Sequence, residues 1–301
     1  MHGGHDHGHA SKAGQHRGRL VGALLLTTGY MVAEVVGGLI TGSLALLADA
    51  AHMLTDAGGL ALALIAIRFA ERDPTPQKTY GYLRAEILAA LANATVLLLL
   101  TAFILYEAYR RFVDPPEILG WPMLLVASVG LVVNLISMKL LAAGSSESIN
   151  VKGAYFEVFA DMLGSVGVII AAIIVMTTGW TLADPIIGAA IGLFIVPRTW
   201  RLLMQAVHIL LEGVPSEIDL VRLSDALKEL SDVRAVHDLH VWTITSGMDS
   251  LCCHLVVDDM ADAKRILRAA RTMLHTEFSL DHVTIQIEDE ELRAEEPVLK
   301  V

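Results

Sequence analysis

SLALLADAAHMLTDAGGLALA, residues Ser43–Ala63, is apolar enough to lie in a bilayer, yet it carries Asp49, His52 and Asp56. Such side chains are costly to desolvate, and inside a membrane segment they mark an ion path or a proton relay. On a helix His52 and Asp56, four apart, stand about 40° from each other around the axis, while Asp49 and Asp56, seven apart, nearly eclipse. One face therefore directs an imidazole nitrogen and carboxylate oxygens at the same point. A second pair at the same spacing, Glu157 and Asp161, lies in another hydrophobic run, AYFEVFADMLGS. Two such pairs on facing helices supply the four ligands of a tetrahedral zinc site. Because His52, Asp56, Glu157 and Asp161 already saturate such an ion, Asp49 is assigned to its support.

Working outward, hydrophobic runs cover Leu20–Ile40, Leu44–Phe69, Leu83–Tyr106, Trp121–Leu141, Ala154–Met176 and Leu182–Leu203, each long enough to cross roughly 30 Å of hydrocarbon as a helix. In a six-span arrangement Lys12, Arg17, Arg19, Arg68, Arg72, Lys78, Arg84, Lys139, Lys152, Arg198 and Arg201 fall on one side, and only Arg110 and Arg111 on the other. The positive-inside rule then places both termini in the cytoplasm. Gly58 and Gly59 beside Asp56, and Gly164, Ser165 and Gly167 beside Asp161, predict close backbone approach near the polar pairs. Asn93 and Asn134 suit interhelical hydrogen bonds. Glu34, an isolated carboxyl in the first run, is a candidate for a proton path.

Composition agrees with this division. The chain has 301 residues, 54% hydrophobic, with a formal net charge of -11 and a mean hydropathy of +0.56. That is too apolar for one soluble domain and too long for a membrane bundle alone. The negative balance excludes nucleic acid as a partner and suits a metal cation. Cys252 and Cys253 are adjacent, which fits neither a disulfide framework nor a zinc knuckle.

Residues 1–19 hold His2, His5, His7, His9 and His16 among glycines, without the apolar run of a signal peptide. They read as a disordered cytoplasmic tail, either a metal-capturing arm or a solvated one. After the six-helix membrane domain of residues 20–205, residues 206–290 change character. A Pro and a Ser cap precede an amphipathic helix, strand-like RAVHDLHVWTIT and SLCCHLVVDD flank a hairpin turn, and a second helix leads to DHVTIQIED. That order predicts a small cytoplasmic α+β domain, ferredoxin-like in outline, closed by an acidic tail over residues 291–301. His237, His254, His282 and Glu288 lie on its predicted strands; they read either as a metal site or as ordinary surface groups. His237 and His240, three apart, should point to opposite faces of a regular strand, as should Cys252 and Cys253.

With SLALLADAAHMLTD, YGYLRAEILAALAN, NVKGAYFEVFADMLGSVGV, LLEGVP and HDLHVWTITSG in view, the chain resembles the cation diffusion facilitator family over roughly Leu20–Asp289, most nearly its bacterial cobalt-zinc-cadmium resistance exporters. The resemblance implies a metal/proton antiporter of the inner membrane, not an enzyme. It carries the family's transport site onto His52, Asp56, Glu157 and Asp161 and implies a homodimer paired through the cytoplasmic domain. Zinc is then cargo and a possible regulatory ligand, with no enzymatic cofactor. Many zinc-exporting relatives have His where this chain has Glu157, which widens the expected cargo to Co²⁺ and Cd²⁺. Protons compete with metal for neutral imidazole and ionised carboxylates, so binding releases protons and protonation ejects the ion. Two rivals are a membrane metal sensor and an intramembrane metallohydrolase; the chain lacks the H-E-x-x-H pattern of the latter.

Overall fold

A computed structural model of the chain describes residues 17–70, 72–145 and 149–295. Most of the His-rich tail, residues 1–16, and residues 296–301 lie outside the described residues. The chain divides into two compact units, Met1–Ala61 with Asn93–Arg201 and Leu62–Ala92 with Leu202–Val301.

Six long helices come first: α1 Arg17–Thr41, α2 Leu44–Ala70, α3 Ala85–Val113, α4 Gly120–Ser145, α5 Ile149–Thr178 and α6 Ala183–Leu210. Among the described residues, four helices are long and apolar enough to cross a membrane: Ala85–Val113, Gly120–Ala142, Ala154–Thr178 and Ala183–Leu210. Their outward side chains include Leu99, Phe103, Leu125, Leu163 and Phe194, all exposed. A surface of that kind suits lipid or another protein surface better than water.

In the first unit α4 packs against both α1 and α5. Its core joins Leu46 of α2, Met123 and Ala127 of α4, and Val168 and Ala172 of α5. The junction of α1 and α2 is held by side chains as well as by apolar packing. Gly42, at φ 72, ends α1 in the left-handed region that glycine adopts without strain. Ser43 caps α2 by accepting from the Leu46 N–H at 3.1 Å. Asp184, fully buried in the first turn of α6, accepts from Ser43 Oγ at 2.5 Å, from the Leu44 N–H at 2.7 Å and from the Ala45 N–H at 3.2 Å. Arg111 donates to the Gly42 carbonyl at 2.5 Å and lies 3.5 Å from Asp184. The carboxylate thus meets the positive end of α2 and a guanidinium together. Arg110 and Arg111 were the two basic residues out of place for orientation; Glu107 pairs with both, and Asp184 also with Arg111.

In the second unit, α7 Leu220–Lys228 precedes strands β1 Val233–Thr245 and β2 Met248–Val257; α8 Ala263–Phe278 leads to β3 His282–Glu288, and α9 Glu290–Glu295 follows. The sequence predicts a Ser cap for α7, but Asp219 holds that place, accepting from the Val221 and Arg222 N–H groups, while Ser216 donates to Glu217. The hairpin turns through Gly247 at φ 75. β2 is central, antiparallel to β1 and parallel to β3, in the order β1-β2-β3. Leu223 and Leu227 of α7, Leu251 and Leu255 of β2, and Ile266 and Leu274 of α8 form the core between helices and sheet. Glu290–Glu295, expected within a solvated tail from residue 291, is a short exposed helix.

Candidate metal centres

In the first unit, one helical turn on α2 and one residue of α5 converge on an imidazole. His52 Nε2 lies 3.6 Å from Asp56 Oδ2 and 3.9 Å from Asp161 Oδ1. Two ligand atoms about 2.0–2.1 Å from a tetrahedral zinc ion are about 3.4 Å apart, so these separations need to close by only a few tenths of an ångström. His52 and Asp161 are buried, and His52 Nδ1 and Asp161 Oδ1 make no hydrogen bond among the described residues. Buried polar atoms without partners are expensive, and a place in an ion's ligand set is one reason to keep Asp161 Oδ1, which faces His52 Nε2; the opposite ring nitrogen, Nδ1, is not explained by that role.

Glu157 is placed differently. Its Oε1 accepts from Arg198 Nη2 of α6 at 3.0 Å, and both side chains are about half exposed. Asp49 is buried on α2, and a Cβ built on Gly164 of α5 would fall 2.5 Å from its Oδ1. Glycine at 164 therefore admits the carboxyl. Gly58 and Gly59 serve another neighbour: a Cβ on Gly59 would fall 2.6 Å from Asn93 Nδ2 of α3. Asn134 donates to Ser165 Oγ at 3.3 Å, the expected interhelical bond. Glu34 is fully buried and accepts from the Tyr30 hydroxyl one turn earlier at 2.5 Å.

In the second unit, His237, His254 and Glu288 each offer a ligand atom within 4.8 Å of the other two. His237 Nε2 contacts Glu288 Oε1, and His254 Nδ1 lies 3.6 Å from Glu288 Oε2. Gln286 donates to the same Oε2 at 3.2 Å. The sheet register brings them together. His237 pairs with His254, and Glu288 pairs with Val256, two residues further along β2.

His282 does not join this group. It begins β3, where its Nε2 lies 3.3 Å from the Tyr80 hydroxyl, whereas Glu288 ends the same strand. Strand alternation is also overturned on β1. His237 pairs with His254 and His240 with Cys252, so three residues on β1 match two on β2. A bulge therefore returns His240 to the face of His237. Asp238 supplies the irregularity at φ 49, a conformation that Asp tolerates better than most residues. Its carboxylate lies 3.0 Å from His240 Nε2 and 3.7 Å from His254 Nε2. Asp238 is the residue that sequence reasoning missed, and HDLH, an acid between two imidazoles, was the available signal. Burial, then the neighbouring Asp238 charge, raises the Cys252 thiol; burial, then Cys252, pushes Cys253 up to about 12. Both thiols are therefore protonated near neutral pH in the metal-free chain.

Residues 20–211 match the family described as cation efflux transmembrane domain, and residues 215–290 the one described as cation efflux protein, cytoplasmic domain. The metal cation efflux system protein CzcD of Cupriavidus metallidurans is 48% identical over 289 residues, 96% of this chain and 90% of that protein. The zinc transporter ZitB of Pectobacterium atrosepticum is 44% identical over 286 residues, covering 94% and 88%. A cadmium, cobalt and zinc/H(+)-K(+) antiporter of Bacillus velezensis is 40% identical over 290 residues, covering 95% and 92%.

Proposed function

This chain belongs to the cation diffusion facilitator family, and on that premise we propose that it exports Zn²⁺, with Co²⁺ and Cd²⁺ as further cargo, in exchange for protons. It is a divalent metal cation efflux transporter of a multi-pass membrane type and not an enzyme. The observation that carries the proposal is one imidazole nitrogen within 3.6 and 3.9 Å of two carboxylates inside apolar helices. Imidazole with carboxylates suits zinc and cobalt, and an all-oxygen magnesium site has no use for His52. Glu157 completes the set after rotating away from Arg198. Asp49 and Glu34 support the site or its proton path, because both carboxyls are buried in the helices around it.

The six long helices are read as six spans, with both termini on the cytoplasmic side of the inner membrane. The membrane domain is assigned to residues 20–205 and the cytoplasmic domain to residues 206–290, a three-stranded relative of the ferredoxin-like outline through which two chains pair. His237, His254 and Glu288 form its regulatory metal site. Metal held there biases the dimer only through a difference in affinity between its packings.

The test is reconstitution of the purified protein in liposomes with a metal-sensitive dye inside and an imposed pH gradient. Transport predicts flux that depends on the gradient and is lost in His52→Ala and Asp161→Ala. A sensor or a hydrolase predicts no flux in the parent protein.

A further inference from the structure

Glu157 lies one helical turn before Asp161, on the same face of α5, yet its carboxylate is turned to Arg198 Nη2 at 3.0 Å instead of to His52. From that placement we propose that Arg198 is a positioning residue, the built-in cation that holds Glu157 while the transport site is without metal and releases it when metal arrives. The inference rests on the export reading above and adds a residue to it. Without a cation, Asp56, Glu157 and Asp161 set three carboxylates against one another beside a single imidazole. Arg198 and Glu157 both lie within electrostatic reach of Asp56 and Asp161. A guanidinium keeps its charge at any working pH, so Arg198 supplies one fixed positive charge where a divalent ion later supplies two. An arriving ion is repelled by the same charge, and Glu157 becomes available to it only as Arg198 withdraws.

The pair is built to part. Both side chains are about half exposed, and an exposed ion pair is held weakly. Arg198 follows Pro197 within α6, where the missing N–H interrupts the helical ladder and loosens the backbone at that turn. The long arginine stem can carry its head to the membrane surface while staying in apolar surroundings. Arg201 shows the alternative posture on the same helix: its Nε donates to the Pro197 carbonyl at 3.2 Å.

The consequence is a split between affinity and turnover. Arg198→Gln frees Glu157 to join the ligand set permanently, so metal binds more tightly and leaves more slowly. In the liposome assay KM is expected to fall by about five- to tenfold and kcat by a similar factor, the pattern of a ground state stabilised more than the step that follows it. Arg198→Lys, which keeps the charge, should restore most of both. In a Glu157→Gln background, Arg198→Gln should change neither. Arg198→Met serves as a second uncharged variant if Arg198→Gln does not insert. A raised KM, an unchanged KM and kcat, or the same change with Glu157 already neutralised overturns the proposal. Retained flux in His52→Ala and Asp161→Ala overturns the export site itself. Loss of flux in those two, with Arg198→Gln behaving as the parent, overturns only the role of Arg198.

Discussion

The cluster around His52 and the cluster around Glu288 use the same chemistry, imidazole with carboxylate, on different backbones. On α2 and α5 the groups come from turns of helix, and one acid, Glu157, is held away by Arg198. On the sheet Glu288 is fully buried, touched by both imidazoles and supported by Gln286. Ligands that are locked by their neighbours suit an ion that stays; ligands with one movable member suit an ion that passes. On the proposed reading, a resident site differs from a transient one in how many side chains are fixed before the metal comes, more than in which residue types are used.

The largest effect that would break this comparison is at the helices. Asp161→Ala and His52→Ala are expected to lower flux by more than about a hundredfold, because they remove a ligand where losing a mere supporting group already costs about 10- to 100-fold in affinity. Flux within tenfold of the parent in either variant removes the distinction. Next is Glu288→Gln, expected to weaken zinc binding to the cytoplasmic domain by about a hundredfold, measured by titration of the full-length protein, while flux at saturating metal stays within a few-fold. Loss of flux with binding retained would reverse the roles of the two clusters.

The bulge sharpens the comparison further. Asp238→Gly keeps the φ of 49 without strain but removes the carboxylate beside His254 and His240; Asp238→Val adds strain of roughly 1–3 kcal/mol at that position. Thermal unfolding should therefore rank the parent and Asp238→Gly above Asp238→Val, and both variants should bind metal at the sheet about tenfold more weakly. The smallest effect concerns Cys253, whose thiol burial pushes up to about 12. A raised thiol pKa means that the folded domain favours the protonated form, so its contribution is complete below the ordinary thiol pKa of about 8.5 and fades as pH rises toward 12. Cys253→Val should flatten the fall in melting temperature over that interval. At pH 8 an alkylating reagent should label Cys252 before Cys253 in the folded protein.

Helical spacing made the first cluster readable, since residues four apart must share a face whatever the neighbours do. His52 and Asp56 could be brought together on that rule alone, and the matching pair on α5 pointed to Asp161. The position of Glu157 could not, because it depends on Arg198 forty-one residues away on another helix. The partner of Gly59 was likewise invisible: small residues announce a close approach without saying that the visitor is Asn93. On the sheet, residue type and predicted strand offered His254 and Glu288 as candidates, and alternation failed between His237 and His240, where Asp238 adds a residue to the strand. His282 was drawn in by type and by strand, yet six residues of extended chain separate it from Glu288, roughly 20 Å at 3.3 Å per residue. The Asp219 cap and the Ser216 candidate lie three positions apart, within the ordinary uncertainty of a helix start.

The Asp184 carboxylate fixes where α2 can turn. Four donors meet it at one end of that helix, so displacement is smallest at Ser43 and grows along the axis. Asp56 stands about 12 residues beyond the fixed point, about 18 Å along the helix, and a swing of about 10° there carries it roughly 3 Å. That distance exceeds the few tenths of an ångström by which the His52 contacts must close, so a lever anchored at its tip can open and shut the site with its own end at rest.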